Sequence, residues 1–170
     1  MMQSTLSVSD LLEALAGFAT AVWHTANQPD ADWTWRPAEG EWSLVEVVCH
    51  LRDVEREVHL PRFREILARD MPFLPGVSSN EWAAPRAYQL QDGPQAAADF
   101  CAARLETLTL LRGLDDAAWQ RQGRHAFFGA TSIRELAGLM RKHDEAHGAQ
   151  IAALRRHGGG GGKGTQRSQR

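Results

Sequence analysis

The sequence predicts an all-α protein, a four-helix bundle with a long loop between its second and third helices. Three observations predict it. Apolar residues recur at spacings of three and four through four long segments. Serine-x-x-acid boxes, which cap helix starts, open three of those segments. No stretch of useful length alternates apolar with polar residues, so nothing reads as strand.

The first helix runs through "SVSDLLEALAGFATAVWHTA", where Leu11, Leu15, Phe18 and Val22 lie on one face and Ser7 with Asp10 forms the starting box. Pro29, Pro37 and Gly40 then interrupt helix. The second helix begins at Ser43 with Glu46 as its box partner, and Leu44, Val47, Leu51, Val54 and Val58 form its inner stripe. Pro61 predicts a kink or an end near His59 or Leu60, with "RFREILARD" as a further helical stretch. The segment "MPFLPGVSSNEWAAPRAYQLQDGP" holds four prolines in 24 residues and predicts a long loop that covers something.

A third helix follows in "QAAADFCAARLETLTLLRGL", with Phe100, Leu105, Leu108 and Leu111 or the neighbouring leucines turned inward. "DDAAWQRQ" reads as a short helical turn and "GRHAFFGATS" as an irregular loop. Ser132 and Glu135 open the fourth helix, and Gly158 is placed to cap its end. Residues 1–157 thus read as one bundle domain, and 158–170, glycine-rich without an apolar residue, as a disordered tail.

A length of 170 residues allows one sizeable core. A formal charge of −2 gives no electrostatic reason to expect nucleic acid or an anionic membrane as partner. No apolar run approaches a membrane span and the start lacks the pattern of a secretion signal, which predicts a cytoplasmic protein. Cys49 and Cys101 make no disulfide framework and read as small buried hydrophobes.

The inner stripe of the last helix reads Leu136, Met140, His143, His147, Ile151, Leu154. Two histidines therefore stand one turn apart on a core-facing stripe, with Cβ atoms roughly 6 Å apart, close enough to share a metal ion. A buried imidazole without a partner is costly, so either a metal or buried hydrogen-bond partners must satisfy them. His50 lies at the edge of the second helix's buried stripe, seven residues past Ser43, while His143 and His147 lie 11 and 15 past Ser132. That spacing permits the three to converge without requiring it. Three neutral imidazoles would hold one divalent ion, zinc or nickel first and iron or manganese next, with positions left open for water or substrate.

Two motif matches fail. "DEAH" at 144–147 matches a helicase motif, but that motif needs a phosphate loop upstream, and "HGGGGGKGT" lies downstream with His157 and Gly164 in the wrong places. "HDEAH" puts Asp144 where a zinc protease carries glutamate, and no strand is predicted to hold a peptide.

"GEWSLVEVVCHLRDVE" together with "HDEAHGAQI" resembles the DinB/YfiT-like superfamily of four-helix-bundle metalloproteins. The Trp-Ser helix start, the histidine seven residues later and the His-x-x-x-His followed by Gln-Ile carry the resemblance, which spans about residues 6 to 156. It implies His50, His143 and His147 as a metal triad at the mouth of a cavity, and a homodimer. It further implies an enzyme acting on a small molecule, a thiol-dependent transferase using a low-molecular-weight thiol first and a hydrolase second. The other reading is a non-catalytic metal-binding stress-response protein that works through a protein partner.

Metal-bound histidines donate their second N–H to a carboxylate or carbonyl, so Glu46, Asp53 and Gln150 are candidates to support the triad. His125 and Trp82 are candidates to line the pocket, although a surface-loop histidine and a packing tryptophan explain them as well. Asp144 and Glu145 are expected in solvent, and His24, His59 and His157 have no constellation around them.

Overall fold

The computed structural model describes residues 6–158, the last two by backbone alone. The expected tail from 159 onward and the side chain of His157 lie outside the described residues. Four long helical pieces make the bundle: α1 (Val8–Ala26), α2 (Leu44–Val54) continuing into α3 (Leu60–Ala68), α4 (Gly93–Arg112), and, after the one-turn α5 (Asp116–Trp119), the closing α6 (Ile133–Gly158). Helix α1 packs chiefly on α4 and α6, and α2 packs on the same two helices. The order around the bundle is therefore α1, α4, α2, α6, with the first two long helices diagonal to each other. Simple up-and-down neighbours would need short loops. Here residues 27–43 and 69–92 are long enough to carry the chain across.

Pro61 neither stops nor sharply breaks the helix. Its ring lacks an N–H and crowds the carbonyl four residues back, and a widened π-helical turn over Glu55–His59 absorbs both defects. The Leu60 N–H reaches back to the Glu55 carbonyl, five residues away, and the chain continues directly into α3.

The sequence reading missed a small sheet. Strands β1 (Phe73–Leu74), β2 (Gln122–His125) and β3 (Gly129–Ser132) pair in that order, β1 parallel and β3 antiparallel to β2. "GRHAFFGATS" is a hairpin rather than an irregular loop, and Gly129 supplies the positive φ of +74° at its turn. The strands are too short for an alternating pattern to register. At Gly123 a Cβ would lie 3.0 Å from Ile66 and 3.1 Å from Leu74 and the Pro72 carbonyl, so glycine lets β2 approach α3 and β1 without crowding them.

The capping boxes at Ser7–Asp10 and Ser132–Glu135 form with both bonds made. The inner stripes of α1, α2 and α6 are buried as read, except that Phe18, His143 and His147 are half-buried. In α4, Phe100, Leu108 and Leu111 face inward, whereas Leu105 is 60% exposed and is corrected to the surface. The core divides into two apolar clusters. One gathers Val22, the first turns of α2, Phe100, Ile151 and Leu154; the other gathers Leu15, Phe63, Leu108, Leu111 and Met140. Between them runs a polar layer, and the histidines lie in it.

Candidate metal centre

His50 leaves the middle of α2, and His143 and His147 leave α6 one turn apart. The two helices pack side by side, so the three imidazoles meet. His50 Nε2 and His143 Nε2 are 3.2 Å apart. One ring nitrogen from each of the three lies within 4.8 Å of the other two, and among the described residues no other group of three metal-ligating side chains converges in this way. Two nitrogens about 2.1 Å from one tetrahedral ion stand about 3.4 Å apart, so the His50–His143 spacing already suits a shared ion. His147 needs only a small ring movement to join them.

The electrostatics favour the ligating form. Burial is the main force on each ring and holds the imidazoles neutral. It pushes His50 down to about 4, with the charge of His147 adding to the effect, and His143 to about 2, with His59, His147 and His50 adding. His147 is lowered by burial too, against the opposing effect of the hydrogen bond that it donates to Gln150. That bond joins His147 Nδ1 to Gln150 Oε1 at 2.9 Å. An amide oxygen accepts, so Nδ1 carries the hydrogen and Nε2 keeps the lone pair. The Nδ1 atoms of His50 and His143 are buried without a hydrogen-bond partner. Ser79's backbone faces His50 and favours its charged form, but not at hydrogen-bond geometry.

Gln150 is thus the supporting candidate that touches the cluster. Glu46 is taken up elsewhere: it accepts from the Ser43 N–H at 2.8 Å and from Arg36 Nη2 at 2.6 Å. Asp53 faces the long loop, accepting from Arg52 Nε, Arg86 Nη1 and the Tyr88 hydroxyl, each at 2.7 Å. Burial opposes its ionisation, but these three donors hold its carboxyl below the usual range. Asp53 therefore fastens the loop to α2. Trp82 lies under the Arg86 guanidinium, 4.0 Å from its ring centre, and packs on the core. His125 sits on β2 with its Nδ1 accepting the Phe127 N–H, away from the triad.

Trp42 borders the site instead. Its ring centre is 5.0 Å from that of His50, and it lies parallel to His147 at 6.4 Å. An open cleft of about 340 Å3 reaches His147 and Gln150 between Trp42, Glu41 and Asn80. His59 is a second correction, because its ring meets His143 edge to face at 5.5 Å. Nine residues on an unbroken α-helix put it roughly half a turn from His50. The π turn between them changes that phase, and no sequence signal announced it beyond Pro61.

Asp144 is a third correction. It is buried at 3% exposure and forms a two-pronged pair with Arg104, at 2.7 and 3.0 Å, while Glu145 remains in solvent paired with Arg141. Cys49 is inert: burial first, then the charges of Asp53 and Glu46, push its thiol up to about 11.

This chain matches the DinB superfamily over residues 9–151. The chain belongs to that superfamily. No curated protein matches it. Among solved structures it is similar to YfiT from Bacillus subtilis, a "probable metal-dependent hydrolase with an unusual four-helix bundle topology", at 21% identity, 92% coverage of each chain and a TM-score of 0.78. At that identity the likeness speaks for the fold.

Proposed function

We propose that His50, His143 and His147 bind one divalent metal ion and that the protein is a metal-dependent enzyme acting on a small molecule in the adjoining cleft. The convergence of three neutral imidazoles beside an open cleft carries this reading. A cleft of about 340 Å3 falls in the range of small-ligand sites. A purely structural site would be sealed by side chains, which argues against the non-catalytic alternative.

A divalent ion held by three imidazoles supplies Lewis acidity and lowers the pKa of a water or thiol that it binds. The chain's residues do the rest. Gln150 fixes the tautomer and orientation of His147. Trp42 walls the cleft and offers an aromatic face, while Glu41 and Asn80 supply polar contacts at its rim. Among the described residues no thiol opens into the cleft, since Cys49 is buried with its Sγ toward Gln91. The attacking group is therefore brought in from solution.

Hydrolysis, with water in that role, is the reading that the likeness to YfiT supports. Transfer to a low-molecular-weight thiol is carried by the motif resemblance. The test begins with metal analysis of protein purified without a nickel column, expected to give one zinc- or nickel-class ion per chain. His147→Ala should abolish that stoichiometry while leaving the helical circular-dichroism spectrum intact. Ester, amide and thiol-conjugation substrates assayed with each metal then separate the two reactions. Full metal binding in His147→Ala would sink the site.

A further inference from the structure

A second, smaller cavity lies behind the histidine cluster. It measures about 100 Å3, with His59, Arg62 and His125 on its polar wall and Phe63, Phe128 and Leu136 on its apolar wall. It shares no lining residue with the cleft over His147. His59 separates it from the triad, touching His143 edge to face.

The polar wall is unbalanced. Among the described residues no carboxylate lines the cavity. Arg62 is partly buried, donates from Nη2 to the Pro75 carbonyl at 2.8 Å, and has no acidic partner among the described residues. Its charge bears on both imidazoles. His125 is 5% exposed, and because its Nδ1 accepts the Phe127 N–H at 3.2 Å, its Nε2 carries the hydrogen and is the donor. His59 Nε2 is buried with no partner. A guanidinium half withdrawn from water without a counter-charge is disfavoured, and so is a buried imidazole nitrogen left unbonded. One bound anion would relieve both.

We propose that this cavity binds a small oxyanion, a carboxylate or a phosphate, held by the Arg62 guanidinium and the His125 and His59 imidazoles. The volume is that of about three water molecules, which admits acetate or inorganic phosphate and little more. The guanidinium suits either, since its paired N–H groups match two oxygens of one anion. This site stands apart from the metal proposal and does not depend on it.

The experiment titrates acetate and inorganic phosphate, in separate arms at constant ionic strength with chloride as control, into the full chain by isothermal calorimetry and thermal unfolding. One saturable site per chain is expected for at least one of the two oxyanions, and the stronger arm identifies its shape. Arg62→Gln should weaken binding about ten-fold or more, Arg62→Lys less, and His147→Ala not at all. Should Arg62→Gln fail to fold, His125→Phe removes a donor from the same wall and should weaken binding too. No saturable site in either arm, or unchanged binding in folded Arg62→Gln, overturns the proposal. So does loss of binding in His147→Ala, which would move the anion to the metal cleft.

Discussion

Two polar clusters share the layer between the apolar cores, and they are satisfied in opposite ways. The Arg104 cluster is charged and pairs its charges internally, leaving only the Arg104 Nε unbonded. Arg104 donates to Asp144, to Glu55 at 2.9 Å and to the Leu15 carbonyl at 3.2 Å, and Thr107 donates to Glu55 at 2.6 Å. The histidine cluster, its neighbour through the adjacent residues His143 and Asp144, is neutral and open: two Nδ1 atoms have no partner and the Nε2 atoms face one another. Lone pairs that face each other across 3.2 Å repel unless a proton or a cation lies between them. Burial alone therefore does not mark a ligand site. What distinguishes the histidine cluster is that nitrogens from three side chains converge within 4.8 Å of one another, with two of the rings otherwise unbonded.

The largest effect expected from that contrast is at Arg104. Arg104→Met leaves Glu55 and Asp144 as two buried carboxylates without a cation, and should destabilise the fold by about 3–5 kcal/mol in urea unfolding. Replacing Arg104, Glu55 and Asp144 together with apolar residues of similar size should restore most of that loss, since no charge is then buried. Metal stoichiometry should survive in the triple variant. If it does not, the two clusters are one site and the contrast fails.

Acid should separate the clusters by sign. His50 and His143 have folded values of about 4 and 2, below the unfolded 6.5, so their contribution is complete above pH 6.5 and is lost as pH falls. Asp144 behaves oppositely. Burial first, with repulsion from Glu55 and Glu145 adding to it and the Arg104 pair opposing it, raises it from 3.8 to about 6, so its contribution is lost as pH rises through that window and regained on acidification. Each group accounts for about 1.4 kcal/mol per pH unit where only one state titrates. His59, pushed down to about 3 chiefly by burial, titrates with His50 and His143, so metal-free protein should lose roughly 3–4 kcal/mol between pH 6.5 and 5, measured by chemical unfolding at each pH. Asp144→Asn removes the opposing gain and should steepen the fall. A shallower slope in that variant would reverse the assignment.

The triad was legible because its signal is local. His143 and His147 interrupt an apolar stripe, His50 adjoins another, and helix periodicity carries both stripes into the interior. What escaped notice depended on chain geometry that periodicity does not encode. His59 reaches the cluster because a π turn changes the phase of its helix. Asp144 was read as solvent-facing because it sits off the apolar stripe, yet its partner Arg104 comes from α4, 40 residues away in sequence. The sheet was missed because its strands are two to four residues long. The order of helices around the bundle was hidden in the lengths of two loops.

The smallest expected effect tests whether a side chain beside the triad works through it. Gln150 accepts from His147 Nδ1, so Gln150→Ala should lower divalent-metal affinity about ten-fold, the low end for such supporting groups, as read by competition with a chromophoric chelator. Stoichiometry should stay at one, and stability without metal should move by less than about 0.5 kcal/mol because the residue is not part of the core. Glu46→Gln supplies the converse. Its carboxylate is occupied by Ser43 and Arg36, so that change should cost about 1 kcal/mol of helix capping and leave metal affinity alone. The pair thus distinguishes two polar residues that the sequence presents as equivalent. An affinity loss in Glu46→Gln as large as that in Gln150→Ala would mean that the α2 start, rather than the His147 hydrogen bond, orients the ligands.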